Sequence, residues 1–142
     1  MIYSMKETCL AVGMSYETLK FYCREGLVPN VQRDKLNHRV FDEHDVAWLK
    51  GLQCLKRCGM GIKEMHRYME LCLEGVSSIP ERKEMLDEKR ELLLIQRSEI
   101  DESLAYIEKK QALYDDILAG KKPYTTNLRP REIPSKEVSG AG

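Results

Sequence analysis

The stretch from residue 81 to residue 119 constrains this chain most, because it contains neither Gly nor Pro. Such a stretch predicts one helix of about forty residues, roughly 60 Å long. Apolar side chains recur in it at intervals of seven, with one more in a second row: Leu86, Leu93, Ile100, Ile107, Tyr114 and Leu104. A small domain cannot cover so long a stripe, so we expect it to pack against the same helix of a second chain. The alternative is a helix that folds back on its own domain.

Composition narrows the class of protein further. The 142 residues suffice for one domain and an extension, and 32% charged with 42% apolar residues predict a soluble, mainly helical chain. No run of about 18 apolar residues exists to span a membrane, and residues 1–6 lead into no secretory apolar core, so we expect the cytoplasm. Acidic residues outnumber basic ones by eleven to seven in residues 80–120. The acidic excess therefore lies on the long helix, away from any surface that meets nucleic acid.

The first 27 residues predict two short helices joined by a tight turn. Residues 4–7 (Ser-Met-Lys-Glu) have the pattern of a capping box, and the helix that they open ends at Gly13. Ser15 then caps a second helix over residues 16–25. This spacing is typical of a helix-turn-helix. Four apolar side chains of the segment are expected to face inward: Leu10, Val12, Leu19 and Leu27.

The remaining segments complete three predicted regions. Residues 31–41 suit a small hairpin that turns at 34–37 and has the size of a wing. A third helix should follow over 42–58 and a fourth over 62–73, before a linker at 75–79. The third helix should bury Val46, Leu49, Leu52 and Leu55. We therefore expect a winged helix-turn-helix domain with two further helices in 1–75, the long helix in 76–120 and a flexible tail in 121–142.

These elements, in this order, resemble the MerR family of transcription regulators over roughly residues 2–118. The family's core signature matches Ser-Tyr-Glu-Thr-Leu-Lys-Phe-Tyr-Cys-Arg-Glu-Gly-Leu at 15–27. The wing motif matches Asn-His-Arg-Val-Phe at 37–41, and the third helix opens with the family's pattern at 41–46. The resemblance implies a mainly α fold whose long helices form an antiparallel coiled coil in a homodimer. It also implies that the dimer binds double-stranded promoter DNA with an overlong spacer and distorts it so that RNA polymerase can engage both promoter elements.

The second helix is suited to enter a major groove, with residues near its start against base edges. Tyr16 and Glu17 are the candidates for base contacts, since Glu can accept from cytosine N4. Candidates for holding sugar and phosphate come from the same helix with its cap, from the wing and from the fourth helix: Ser15, Thr18, Lys20, Tyr22, Lys35, His38, Arg39 and Lys63. Packing in the core is the favoured role of Phe21, and it is an equal alternative for Tyr22.

The signal that such a regulator answers is sought in its cysteines. Nothing folded is expected after residue 120, so we expect no separate drug-binding domain. Residues 48–59 look like the third helix of the family's small aldehyde- and electrophile-responsive branch, in which a cysteine at the position of Cys54 is the reactive one. Lys50 and Arg57 place two cations near this sulfur, which favours the nucleophilic thiolate. Cys58 is the candidate resolving thiol, whereas Cys9, Cys23 and Cys72 are interpreted as structural.

Three alternatives stay open. Cys54 and Cys58 share a helix face and could bind a soft metal with a partner thiol, although no cysteine occurs in 73–142. The chain could also be a DNA-binding regulator without an effector, or an adaptor that has lost DNA binding. An enzyme is disfavoured, because the sequence contains no Gly-rich phosphate loop, nucleophile elbow or His-Glu metal motif. We expect no cofactor and no resident metal.

Overall fold

The computed structural model describes residues 1–129, and its architecture is mainly helical. In chain order the elements are α1 (Met5–Val12), α2 (Tyr16–Arg24), β1 (Gln32–Arg33), β2 (Arg39–Val40), α3 (Glu43–Arg57), α4 (Ile62–Glu74), a 3₁₀ turn (Val76–Ser78) and α5 (Ile79–Leu118). The predicted order of two helices, wing, two helices and long helix is confirmed. Most of the predicted tail, residues 130–142, lies outside the described residues.

The helix-turn-helix begins and turns at the residues that the sequence indicates. The Ser4 hydroxyl accepts from the Glu7 amide at 3.1 Å, and the Glu7 carboxylate accepts from the Ser4 amide at 3.0 Å. The second of these bonds lowers the pKa of Glu7. Gly13 ends α1 with a φ of 79°, a conformation that side chains with a Cβ rarely adopt. Ser15 then caps α2 by accepting from the Thr18 amide at 3.1 Å.

The wing is a two-stranded antiparallel hairpin in which Gln32 pairs with Val40 and Arg33 with Arg39. Asp34 shapes its turn, because one carboxylate oxygen accepts from the amides of Leu36 and His38, each at 2.9 Å. Asn37 adopts a φ of 65°, which Asn tolerates better than most residues. The hairpin expected at 31–41 is therefore confirmed, with its turn at the predicted position.

The core lies where α1, α2, α3 and the start of α4 meet. Its buried apolar side chains are Val12, Leu19, Tyr22, Leu27, Val28, Phe41, Val46, Leu49, Leu52, Met60 and Met65. Leu10 was expected among them and is 77% exposed, so that prediction is wrong. The buried face of α1 carries Thr8 and Val12, one turn apart, and Leu10 projects from the opposite side. Leu55 is only partly buried at the edge of the core.

The junction before α5 is tighter than a linker. Residues 76–78 form a 3₁₀ turn, and Ser78 is buried with its hydroxyl donating to the Leu71 carbonyl. Arg82 donates to the Gly75 carbonyl at 2.6 Å and to the Ser78 hydroxyl at 3.1 Å. These bonds satisfy carbonyls that the end of α4 leaves without helical partners.

The chain forms two compact units, and the first comprises Met1–Arg97. It contains the helix-turn-helix, the wing, α3, α4 and the first half of α5. Within it the Lys89 ammonium binds the Glu64 carboxylate at 2.8 Å and thereby ties α5 to α4. The second unit begins at Ser98 and contains the rest of α5.

The long helix α5 has 40 residues and buries none of them. The heptad row stays between a third and three fifths exposed, from 37% at Leu93 to 59% at Ile100. The apolar row of α5 is therefore exposed to solvent on this chain. Within residues 1–129, no helix is both long and apolar enough to cross a membrane.

Candidate DNA-binding surface and thiol site

The start of α2 presents polar and aromatic side chains to solvent. Tyr16 is 51% exposed, and Glu17 beside it is exposed as well. Thr18 is half-buried and accepts from the Ser15 hydroxyl at 2.9 Å, so that the cap and the first turn form one hydrogen-bonded unit. Lys20 is half-buried. Tyr16 and Glu17 can therefore reach an approaching molecule, while Ser15 and Thr18 hold the helix end in place.

Of the two neighbouring aromatic residues Phe21 and Tyr22, the apolar one is exposed and the one with a hydroxyl is buried. Phe21 was expected in the core and is 43% exposed, whereas Tyr22 is only 2% exposed. The hydroxyl of Tyr22 is buried and has no hydrogen-bond partner among the described residues. The contact of Tyr22 with a sugar or phosphate is therefore corrected, since in this structure its side chain belongs to the core. The direction of α2 across the core decides this, because Leu19 and Tyr22 lie three residues apart on its buried face.

The wing carries the polar side chains that the sequence singled out. Lys35 and His38 are exposed, and Arg39 is half-buried. His38 lies 3.9 Å from the Asp34 carboxylate. Arg33 is a further exposed cation that no motif had indicated, and its guanidinium donates to the Asn37 carbonyl at 2.8 Å.

The wing cations lie close to the end of α2. Burial raises the pKa of the Cys23 thiol, and the nearby charges of Arg39 and Arg33 lower it in part. Cys23 belongs to the last turn of α2, so the charges of both wing arginines act on that turn. The helix and the wing thus form one surface with aromatic, acidic and basic groups.

Lys63 is the remaining predicted contact residue, and it is exposed in the first turn of α4. An apolar groove of about 400 Å³ separates this turn from α2. Glu17 and Phe21 line it on the α2 side, and Gly61 and Ile62 line it on the α4 side. The start of α4 therefore flanks α2, as the wing flanks its end.

Cys54 is the exposed cysteine of the chain. The Arg57 guanidinium lies one helical turn away and donates to its sulfur at 3.5 Å. The sulfur of Cys54 is therefore open to a reagent from solvent, as the predicted role of a reactive thiol requires.

Cys58 lies one turn further along, where it forms the C-cap of α3 and is half-buried. It borders a cavity of about 250 Å³ whose other walls come from the first half of α5. Leu86 and Leu93 of the heptad row line this cavity together with Lys89 and Arg90. The thiol of Cys58 is thus next to the apolar row, whereas Cys54 faces solvent.

The other cysteines are partly enclosed. Cys9, Cys23 and Cys72 are half-buried, and burial raises the pKa of Cys9 as it does that of Cys23. Cys72 has a guanidinium nitrogen of Arg82 at 3.8 Å. Within residues 1–129, no three His, Cys, Asp or Glu side chains come together in a geometry that could hold a metal ion.

Comparison with known proteins gives a consistent result. The model of the family described as "MerR HTH family regulatory protein" matches residues 3–72. An uncharacterized HTH-type transcriptional regulator of Haemophilus influenzae is 37% identical over 119 residues, which are 84% of this chain and 88% of that protein. The HTH-type transcriptional regulator AdhR of Bacillus subtilis is 34% identical over 82 residues, which are 58% of this chain and 59% of AdhR.

A solved structure extends the similarity to the fold. The crystal structure of HiNmlR, a MerR family regulator lacking the sensor domain and bound to promoter DNA, has 36% sequence identity with this chain and a TM-score of 0.71. The match covers 84% of this chain and 94% of that one. These relatives are transcription regulators and not enzymes.

Proposed function

The chain belongs to the MerR family of helix-turn-helix transcription regulators, and we propose that it acts as a homodimer that distorts promoter DNA under the control of Cys54. The observation that carries DNA recognition is the exposed start of α2, flanked by the wing cations and by Lys63. A helix in this setting enters the major groove with its first residues against base edges. The wing then contacts the DNA backbone on one side of α2, and the start of α4 contacts it on the other side.

Two classes of substitution separate base recognition from backbone contacts. Glu17→Ala should relax the preference for one base pair, and the loss of a good side-chain-to-base contact reduces discrimination by about 1–3 kcal/mol. Arg39→Ala should weaken binding to operator and to unrelated DNA to the same extent. Because it removes one phosphate contact per protomer, the slope of log K against log salt should become shallower by about one per protomer. Fluorescence anisotropy with operator and scrambled duplexes measures both effects. If both variants bind both duplexes like the wild type, α2 and the wing are not the DNA-binding surface.

Dimerisation is assigned to α5. Its heptad row is exposed along its length, and two such rows packed together would remove both from water. In the dimer that we propose, residues 1–75 form the DNA-binding domain and residues 76–120 the dimerisation helix. Two copies related by a two-fold axis then place two α2 helices on one face of the DNA.

Promoter distortion follows from this geometry. A dimer whose two heads are held at a fixed distance must bend or untwist a spacer of unsuitable length to engage both half-sites. Smooth bending of DNA costs on the order of 1–6 kcal/mol, which the contacts of the two heads must offset. Untwisting brings the two promoter elements into register, so that RNA polymerase can engage both of them.

Control by Cys54 rests on its exposure and on the Arg57 guanidinium at 3.5 Å. The thiolate would add to the carbonyl carbon of a small aldehyde: a sulfur–carbon bond forms, the carbonyl π bond opens and the resulting alkoxide takes a proton from water. The hemithioacetal that results is neutral and larger than the thiolate that it replaces. Such a change at the end of α3 can shift the balance between two dimer shapes.

The test of this control is promoter output in cells that carry Cys54→Ser, measured under formaldehyde, methylglyoxal and a thiol oxidant. We expect induction in the wild type and none in Cys54→Ser, with Cys9→Ser as the matched control that responds normally. Induction that persists in Cys54→Ser removes this thiol from the mechanism. The same assay with zinc and copper tests the alternative in which Cys54 and Cys58 bind a soft metal. If promoter output changes with none of these agents, a regulator without an effector is favoured.

A further inference from the structure

A polar groove of about 750 Å³ lies at the turn between α1 and α2, beside the last turn of α3. Ser15 and Thr18 line it from the start of α2, and Lys56 and Arg57 line it from the end of α3. The Gln53 amide donates to the Gly13 carbonyl at 3.2 Å and holds the two walls together. The groove therefore belongs to the same face as the first turn of α2.

The charge of this groove is positive. Lys56 and Arg57 are exposed, and within the described residues neither forms an ion pair. None of the residues that line the groove is acidic. The nine-residue helix α2 begins in its wall and adds the positive end of its dipole. Two cations without an ion-pair partner among the described residues, two hydroxyls and a helix N-terminus together favour an anion with several acceptor oxygens.

A buried polar atom in the wall supports an occupant. Tyr22 lines the groove, is 2% exposed and has a hydroxyl without a hydrogen-bond partner in residues 1–129. A buried hydroxyl without a partner costs about 1–3 kcal/mol. A water that bridges this hydroxyl to an anion in the groove would supply the missing partner, without direct contact between Tyr22 and the anion.

Arg57 has a second contact, outside the groove. Its guanidinium donates to the Cys54 sulfur at 3.5 Å, so one side chain joins the exposed thiol to the groove. An adduct on the sulfur adds bulk at the atom that accepts this hydrogen bond and occupies space beside the guanidinium. The position of Arg57 in the groove therefore depends on the chemical state of Cys54.

We propose that this groove binds a backbone phosphate of the operator DNA, and that Arg57 makes this contact depend on the state of Cys54. The proposal rests on the DNA-binding function argued above. It adds Lys56 and Arg57 to the DNA-binding residues and identifies the physical link between the thiol and the DNA. DNA is the occupant to which the surface is suited, because the groove adjoins Tyr16 and Glu17, the candidates for base contacts.

The phosphate contact is tested by the salt dependence of DNA binding. The double variant Lys56→Gln/Arg57→Gln is compared with the wild type and with Lys83→Gln, which removes an exposed cation of α5 that does not line this groove. We expect the slope of log K against log salt to become shallower by about 0.9 per protomer in the double variant, for operator and for unrelated duplex alike. Lys83→Gln should keep the wild-type slope. An unchanged slope in the double variant overturns the phosphate site.

The link to Cys54 is tested with methyl methanethiosulfonate. The Cys54 thiolate attacks the sulfenyl sulfur, a disulfide to a methylthio group forms and methanesulfinate leaves. We expect this adduct to weaken DNA binding of the wild type to the level of Arg57→Gln, within about twofold, and dithiothreitol to restore it. Arg57→Gln should lose no further affinity on treatment. An equal loss in Arg57→Gln and in the wild type overturns the coupling.

Cys54→Ser treated in the same way isolates the effect of the other cysteines, and its affinity should stay constant. The failure of this proposal is distinguishable from the failure of the proposed function. If the wild type binds DNA and responds to the reagent while both Arg57 predictions fail, only the groove is wrong. If the untreated wild type does not bind its promoter region at low salt, the proposed function itself is wrong, and the groove with it.

Discussion

The hydroxyl of Tyr22 is a polar group buried in an apolar core. Because it has no partner among the described residues, its removal should not cost stability. We expect Tyr22→Phe to raise the free energy of unfolding by about 1 kcal/mol in urea denaturation. Tyr16→Phe, in which the lost hydroxyl is on an exposed side chain, is the control and should change nothing. A loss of stability in Tyr22→Phe would mean that the hydroxyl is satisfied.

Individual side chains are also where prediction from the sequence was weakest. Phe21 and Tyr22 are neighbours of similar size, and only the rotation of α2 about its axis decides which one is buried. The same holds for Leu10, whose apolar character predicts burial although α1 turns it towards solvent. A helix of eight or nine residues has too few turns for its apolar period to determine that rotation. The proximity of Arg57 to Cys54 was predictable from the sequence, because residues three apart share a helix face, and the structure places the guanidinium 3.5 Å from the sulfur.

At the scale of elements, the turn between α4 and α5 depends on Arg82. Its guanidinium donates to the Gly75 carbonyl and to the Ser78 hydroxyl, which in turn donates to Leu71. We expect Arg82→Ala to lower the free energy of unfolding by about 1–2 kcal/mol, since it removes two charge-assisted bonds at a helix end. Lys83→Ala, one residue further along the exposed surface, should stay within about 0.5 kcal/mol of the wild type. Equal effects in both variants would show that Arg82 does not hold the turn.

The ion pair between α4 and α5 predicts a dependence on pH. The hydrogen bond from Lys89 lowers the pKa of Glu64 below its ordinary value near 4.5. A carboxyl whose pKa is lower in the folded state stabilises the fold above its unfolded pKa, and this contribution is lost as the pH falls through the folded pKa. The stability difference between the wild type and Glu64→Gln should therefore shrink between pH 6 and pH 3, as measured by urea denaturation. A constant difference over this range would contradict the role of the pair.

The elements themselves were largely predictable. Caps with a local hydrogen-bonding pattern mark the starts of α1, α2 and α3, and such patterns need no knowledge of tertiary contacts. The Gly75–Ile79 segment was the exception, because its 3₁₀ turn is stabilised by Arg82 from the following helix. The signal for that contact lies seven residues away in sequence and has no motif.

At the scale of the whole molecule, the exposed row of α5 predicts a dimer. Ile107 is 50% exposed on an isolated chain and lies in the row that we expect to pack against a second copy. Ile107→Glu should shift the protein towards the monomer, by at least tenfold in dissociation constant, because it places a charge in an apolar seam. Glu108→Gln, on the neighbouring helix face, is the control and should stay dimeric in sedimentation equilibrium. A wild type that sediments as a monomer at all concentrations would contradict the assignment of α5.

The most direct test of the central claim, that this chain is a DNA-binding transcription regulator, is a gel-retardation titration with its own promoter region at low salt. The proposed function predicts one retarded species containing two protomers, formed at lower protein concentration than with an unrelated duplex of equal length. Specific binding typically exceeds non-specific binding by a factor of about 10³ or more, so the two titrations should separate clearly. Absence of any retarded species at low salt, with the protein folded by circular dichroism, would contradict the claim.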